Sequence, residues 1–189
     1  MDIRQHFLRI TYPILMTFSK LFRLRRGIFA SSLPAQTSFF DLSMTDSNGR
    51  VFSFSGLKGK KTLVVNTASN CGYTAQYGEL QYIYAMDQSR LNIIAFPTGD
   101  FMDQELNDDE SIRIFCSKYR VAYPLMQKSH VKKKEGQNPV FRWLTRSEEN
   151  GWNSFEPSWN FCKYLIDEKG NLTHIFESGV APEEVRRYI

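Results

Sequence analysis

The chain is poor in the residues that build several common kinds of protein. Its 189 residues hold only three cysteines, Cys71, Cys116 and Cys162, an odd number that excludes a fully paired secreted disulfide framework. The three histidines, His6, His130 and His174, lie far apart and share no metal-ligand spacing with the cysteines. No Gly-rich phosphate loop occurs, so neither a metal nor a nucleotide cofactor is expected. No apolar run reaches the roughly 20 residues that a membrane-spanning helix needs. Charge of one sign is also scarce outside a single place. The net charge is +4, and residues 1–30 alone carry six basic side chains against Asp2. The remainder is close to neutral, which argues against a nucleic-acid face.

What remains is a soluble α/β pattern long enough to bury its own core. Leu63, Val64 and Val65 form a short, partly β-branched run that reads as a strand buried on both faces. Small and polar residues follow over 66–74. Tyr77, Leu80 and Tyr84 then recur at helical spacing, with Thr74 as the expected N-cap. Cys71 therefore stands in a strand-to-helix loop, where a helix N-terminus favours the thiolate. Packing alone is an equal reading of one cysteine in such a loop. A second buried strand at residues 91–96 completes a βαβ unit, so the loops after Val65 and after Phe96 should face each other.

The wording of this stretch is more specific than its pattern. VNTASNCGYTAQYGELQYIY closely resembles the first signature of the glutathione peroxidase family, with Gly72, Thr74, Gln76, Tyr77, Leu80 and Tyr84 in place. FPTGDFMDQE resembles the second at Phe96, Pro97, Phe101, Gln104 and Glu105. PSWNFCKYLIDEKGNL resembles the third. The resemblance covers about residues 36–189. It implies a thioredoxin-like α/β fold, a central mixed sheet flanked by helices and preceded by an N-terminal β-hairpin. Asn48-Gly49, with Phe39, Leu42, Val51 and Phe54 around it, places that hairpin at residues 37–54.

By the same resemblance Cys71 is the peroxidatic cysteine, reducing hydrogen peroxide or an organic hydroperoxide and passing through a sulfenic acid. Trp159 and Asn160 match two residues of the family's catalytic site; both can donate hydrogen bonds to a sulfur anion or a peroxide oxygen. Asp100 falls where the family carries a catalytic glutamine, so an amide donor has become a carboxylate, expected to act as proton acceptor or relay. On its residues alone Asp100 is an ordinary loop aspartate. FCSKYRVAYPL resembles the segment in which thioredoxin-dependent members place a resolving cysteine, here Cys116. Ile112, Phe115, Cys116 and Tyr119 share one helical face, so Cys116 lies on a buried stripe and its helix must unwind to form a Cys71–Cys116 disulfide. Cys162 reads as structural.

The expected reductant is thioredoxin or glutathione, and the short polar stretch at 145–158 suggests a monomer. The basic loop from His130 to Gly136 reads as a solvated turn that can also attract an anionic partner. Residues 1–34 form a separate extension ahead of the domain at 35–189. Within it, residues 1–30 resemble a basic amphipathic segment able to touch an anionic membrane surface, making the protein cytoplasmic with possible surface association. A helix packed on its own domain, or a frayed tail, explains that segment equally well. Two rival functions share the chemistry in whole or part: a redox sensor relaying oxidation through Cys71, and a non-catalytic binding module.

Overall fold

Leu63, Val64 and Val65 are fully buried, as a strand covered on both faces must be. The computed structural model describes residues 27–189, so the basic segment at 1–26 lies outside the described residues. Strand β1 (Ile28–Ala30) is followed by a 3-10 turn at Phe39–Asp41. Strands β2 (Ser43–Thr45) and β3 (Val51–Ser53) come next, with a second 3-10 turn at Phe54–Leu57. Then follow β4 (Lys61–Thr67), helix α1 (Gln76–Asp87), β5 (Leu91–Pro97) and helix α2 (Asp109–Ser117). Helices α3 (Pro139–Leu144) and α4 (Ser147–Asn150), strands β6 (Lys163–Ile166) and β7 (Leu172–Phe176) and helix α5 (Pro182–Val185) complete the chain.

Five strands form one mixed sheet in the order β1-β7-β6-β4-β5. β4 and β5 run parallel, with Val64 opposite Ile94; β4 and β6 run antiparallel, with Val65 opposite Lys163. The period of two along these strands sends alternate residues into two cores. Leu63, Val65 and Leu165 pack with Tyr77, Leu80, Ile83, Ile112 and Val185 beneath α1, α2 and α5. Val64, Tyr164 and Ile166 pack on the other face with Phe39, Phe54, Phe141 and Trp143.

Ahead of the domain expected at 35–189, Ile28–Ala30 pairs with β7 as the sheet's edge strand. Covering the outer edge of β7 satisfies a row of backbone groups that would otherwise be open. The hairpin at 37–54 exists, but its strands are three residues each, and Phe39 and Phe54 fall in the 3-10 turns instead. Those two rings stack at 5.2 Å, which makes them core rather than strand. Asp46 organises the loop between the strands: its Oδ1 accepts from the N–H groups of Asn48 and Arg50, while Gly49 supplies the left-handed φ of 79°.

One buried charge stands out in the sheet. Lys163 is fully buried, and its Nζ donates to the carbonyl of Val180 at 2.7 Å. Burial disfavours the ammonium and brings the group down to about 7, from 10.5 in an open chain. Between those values the unfolded chain holds the proton and the folded one has released it. Folding is therefore expected to gain stability as pH rises from 7 toward 10. In Lys163→Met that gain should vanish. Denaturant unfolding of both proteins across this range checks it; parallel pH curves would refute the assignment.

Candidate active site

Cys71 sits in the turn between β4 and α1, 8% exposed. The turn closes on itself through Thr74. Its Oγ1 accepts the Cys71 N–H at 3.1 Å and donates to the Cys71 carbonyl at 2.6 Å, with the carbonyls of Ala68 and Ser69 also in reach. Thr74 is therefore not the helix N-cap; Ala75 holds that position and makes no side-chain cap bond. The hydroxyl is used to shape the cysteine turn instead. In that shape the backbone N–H of Tyr73 points at Cys71 Sγ, 3.5 Å away. None of the three cysteines is in a disulfide.

The loops after β4 and β5 do meet. Thr98 N–H donates to the Thr67 carbonyl at 3.0 Å, and Asn70 N–H donates to the Gln104 carbonyl at 2.8 Å. Glu105 adds a side chain to this seam. It is 3% exposed, and its Oε1 accepts from the N–H groups of Ser69 and Leu106. Burial raises its carboxyl above the usual range, opposed by those hydrogen bonds.

Trp159 and Asn160 arrive at the same place from the turn before β6. Asn66, in β4, donates from Nδ2 to the Trp159 carbonyl at 2.9 Å and accepts the Phe161 N–H through its own carbonyl. The Trp159 ring lies 5.6 Å from that of Phe101, and Lys132 Nζ stands 4.6 Å from the Phe101 centroid. Asn160 is fully buried and donates from Nδ2 to Gln104 Oε1 at 3.0 Å. The three sequence signatures thus converge on one spot. Asn66, Gln104, Glu105 and Lys163 were not singled out as site or core residues from the sequence. For all four the signal is their place in the signatures: Asn66 in the first, Gln104 and Glu105 in the second and Lys163 in the third.

Asp100 departs from expectation. Its side chain is 1% exposed, and all its partners lie in residues 130–134. Oδ1 meets His130 Nδ1 at 2.8 Å and Lys134 Nζ at 2.6 Å, while Oδ2 accepts the N–H groups of Val131 and Lys132 at 2.7 and 3.0 Å. Burial works against ionisation, but these donors, Lys134 foremost, outweigh it and hold the carboxyl down to about 2. Both its oxygens are engaged, and Asp100 clamps the basic loop.

Cys116 is 1% exposed in α2, on the stripe expected for it. Burial foremost, with the nearby Glu105 charge, pushes its thiol up to about 12. It belongs to the same apolar cluster as Cys71, Tyr77 and Phe161. Cys162 points into the opposite core, its Sγ 3.5 Å from the hydroxyls of Ser158 and Ser178. Among the described residues no group of His, Cys, Asp or Glu could hold a metal, and no helix is long and apolar enough to cross a membrane.

A thiol held in a strand-to-helix turn at the C-terminal end of a parallel strand pair, with the turn tied through Gln104 to a buried asparagine, defines a thioredoxin-fold thiol enzyme. A secreted disulfide oxidoreductase of Mycobacterium tuberculosis shares the fold at a TM-score of 0.54, with 15% identity over 78% of this chain and 92% of its own. The sequence pattern described as glutathione peroxidase matches residues 39–145. The Schizosaccharomyces pombe glutathione peroxidase-like peroxiredoxin gpx1 is 39% identical over 155 residues, 80% of this chain and 96% of its own length. The crystal structure of Trgpx in its apo form superposes at a TM-score of 0.64 with 31% identity, covering 82% and 94% of the two chains. The chain belongs to the glutathione peroxidase family, and it is a peroxidase of thiol chemistry.

The Asp100 clamp has a measurable signature. Its folded carboxyl lies below the open-chain value of 3.8, so its contribution is complete above that pH and is lost as pH falls toward about 2. Asp100→Asn is expected to cost about 2 kcal/mol at pH 7, the scale of charge-assisted hydrogen bonds. The gap to the unsubstituted protein should close between pH 4 and 2. Urea unfolding of the two proteins at a series of pH values measures it, and a pH-independent gap would contradict the clamp.

Proposed function

We propose that this peroxidase reduces hydrogen peroxide or an organic hydroperoxide through Cys71, with Cys116 as the resolving thiol and thioredoxin as reductant. The observation that carries the reading is the shared cluster of Cys71 and Cys116 beneath α1 and α2, with Cys162 on the other face of the sheet. The thiolate of Cys71 attacks one peroxide oxygen. The O–O bond breaks, Cys71 becomes a sulfenic acid, and the second oxygen leaves as water or an alcohol after taking a proton. Trp159 and Asn160 supply N–H donors toward the sulfur and the leaving oxygen.

Cys116 then attacks the sulfenic sulfur, forming the S–S bond and releasing water, and a dithiol reductant reopens the disulfide by exchange. A thiol raised to about 12 is a poor nucleophile where it stands. Resolution therefore requires α2 to open and wet Cys116, which a nine-residue helix with two fully buried side chains can do at modest cost. The names of relatives such as the fission-yeast peroxiredoxin support the hydroperoxide substrate. The same proposal makes the protein a cytoplasmic monomer whose residues 1–30 contact an anionic membrane surface.

Three variants test the cycle. Cys71→Ser is expected to abolish peroxide reduction. Cys116→Ser should still be oxidised once by peroxide yet lose thioredoxin-supported turnover, and Cys162→Ser should turn over normally. Peptide mapping after one equivalent of peroxide should give a Cys71–Cys116 peptide, with hydrogen exchange across α2 increased. A lasting sulfenic acid or a bound glutathione at Cys71, with Cys116 still reduced, would replace thioredoxin by glutathione as the reductant.

A further inference from the structure

The second signature has lost its amide at position 100, yet an amide still stands in the site. Gln104, four residues on, is half-buried and accepts the Asn160 Nδ2 hydrogen bond at 3.0 Å. Its backbone carbonyl accepts from Asn70, the residue before Cys71. One residue thus touches both the cysteine turn and the Trp159–Asn160 turn. A primary amide carries two N–H donors and one acceptor oxygen. Asn160 spends one N–H on Gln104, and its Oδ1 is buried without a partner among the described residues. The Gln104 bond is therefore what sets the plane of the Asn160 amide and the direction of its second N–H.

The backbone around this contact is strained in the way built sites are. Among the described residues only four other than glycine have positive φ. Three of them flank the bond: Met102 at 55° and Asp103 at 51° lead into Gln104, and Phe161 at 65° follows Asn160. A buried phenylalanine in the left-handed region is an outlier that the surrounding structure must hold in place. Asn66 does so by accepting its N–H. Strain on both sides of a single side-chain bond brings the two amides together.

We infer that Gln104 is the positioning residue for Asn160 in this enzyme, holding its amide for the reaction at Cys71. The inference rests on the proposed peroxidase role of Cys71 and Asn160 and adds a residue to it. Gln104 acts through its acceptor oxygen, so replacements that keep or remove that oxygen separate positioning from packing.

Stopped-flow oxidation of Cys71 by hydrogen peroxide, run on the full reduced chain at a pH where the thiol is fully ionised, is the test. Gln104→Met keeps the length and removes the acceptor; it is expected to slow oxidation about tenfold, the worth of one hydrogen bond in a transition state. Gln104→Glu keeps the acceptor and should return to within about twofold of the original rate once thiolate is saturated. In an Asn160→Ala background, Gln104→Met should cause no further loss, because a residue that acts through Asn160 has nothing left to position. Thermal unfolding of each variant separates this from misfolding. An unchanged rate in Gln104→Met overturns the inference. So does an equal loss in Gln104→Met and Gln104→Glu, or a fully additive loss with Asn160→Ala. If Cys71 of the unsubstituted protein fails to react with peroxide, the peroxidase reading itself fails instead.

Discussion

At the C-terminal end of β4 the sheet stops, and the backbone groups that emerge there are buried and must find partners. Asn66 meets this constraint twice, giving its side-chain N–H to the Trp159 carbonyl and its own carbonyl to Phe161. Ser69 and Asn70 meet it by donating to Glu105 and Gln104. A buried amide left unpaired costs about 1–3 kcal/mol, so these bonds are obligatory rather than ornamental. Their result is that three segments far apart in the chain are locked around one sulfur. The site exists because the strand end had to be capped, and residues able to do chemistry provide the caps.

Two thiols in one apolar cluster illustrate how position divides labour. Cys71 lies at the cluster's rim, in a turn where a backbone N–H faces its sulfur. Cys116 lies inside, where burial suppresses ionisation. A low-dielectric interior disfavours the thiolate of the second cysteine. In the proposed cycle this orders chemistry and conformational change in time: the thiol at the rim reacts first, and the buried one waits on an opening. The same burial keeps Cys116 from being oxidised on its own account.

How much of this could be read from the sequence depended on whether the relevant pattern was local. The βαβ unit and the buried stripe of α2 both follow from periodicity, and both are present. The strand Ile28–Ala30 is three residues of sheet edge, too short for any period to register. Residues 145–158 looked like plain turn. In fact Asn150 and Asn153 are buried there and bond the carbonyls of Trp143, Arg146 and Leu144, replacing an apolar core with side-chain amides. Thr74 was read as a cap because its neighbours are helical; its hydroxyl instead serves the turn behind it. Each of these depends on which backbone groups the folded chain brings within hydrogen-bond reach of a side chain or an edge strand, and spacing along the chain carries no record of that.

Asp100 shows what one exchange in a signature does to its surroundings. An amide at this position offers both a donor and an acceptor; a carboxylate offers only acceptors, and a buried one must gather donors or stay neutral. Here it gathers four, all from residues 130–134. The basic segment, which on composition alone is a solvated turn, is thereby drawn against the site. Lys132 ends over Phe101, and Phe101 packs on Trp159, so a positive charge is two rings' contact from the indole. With position 100 turned toward this loop, the side-chain amides left between the second and third signatures are those of Gln104 and Asn160, joined to each other at 3.0 Å.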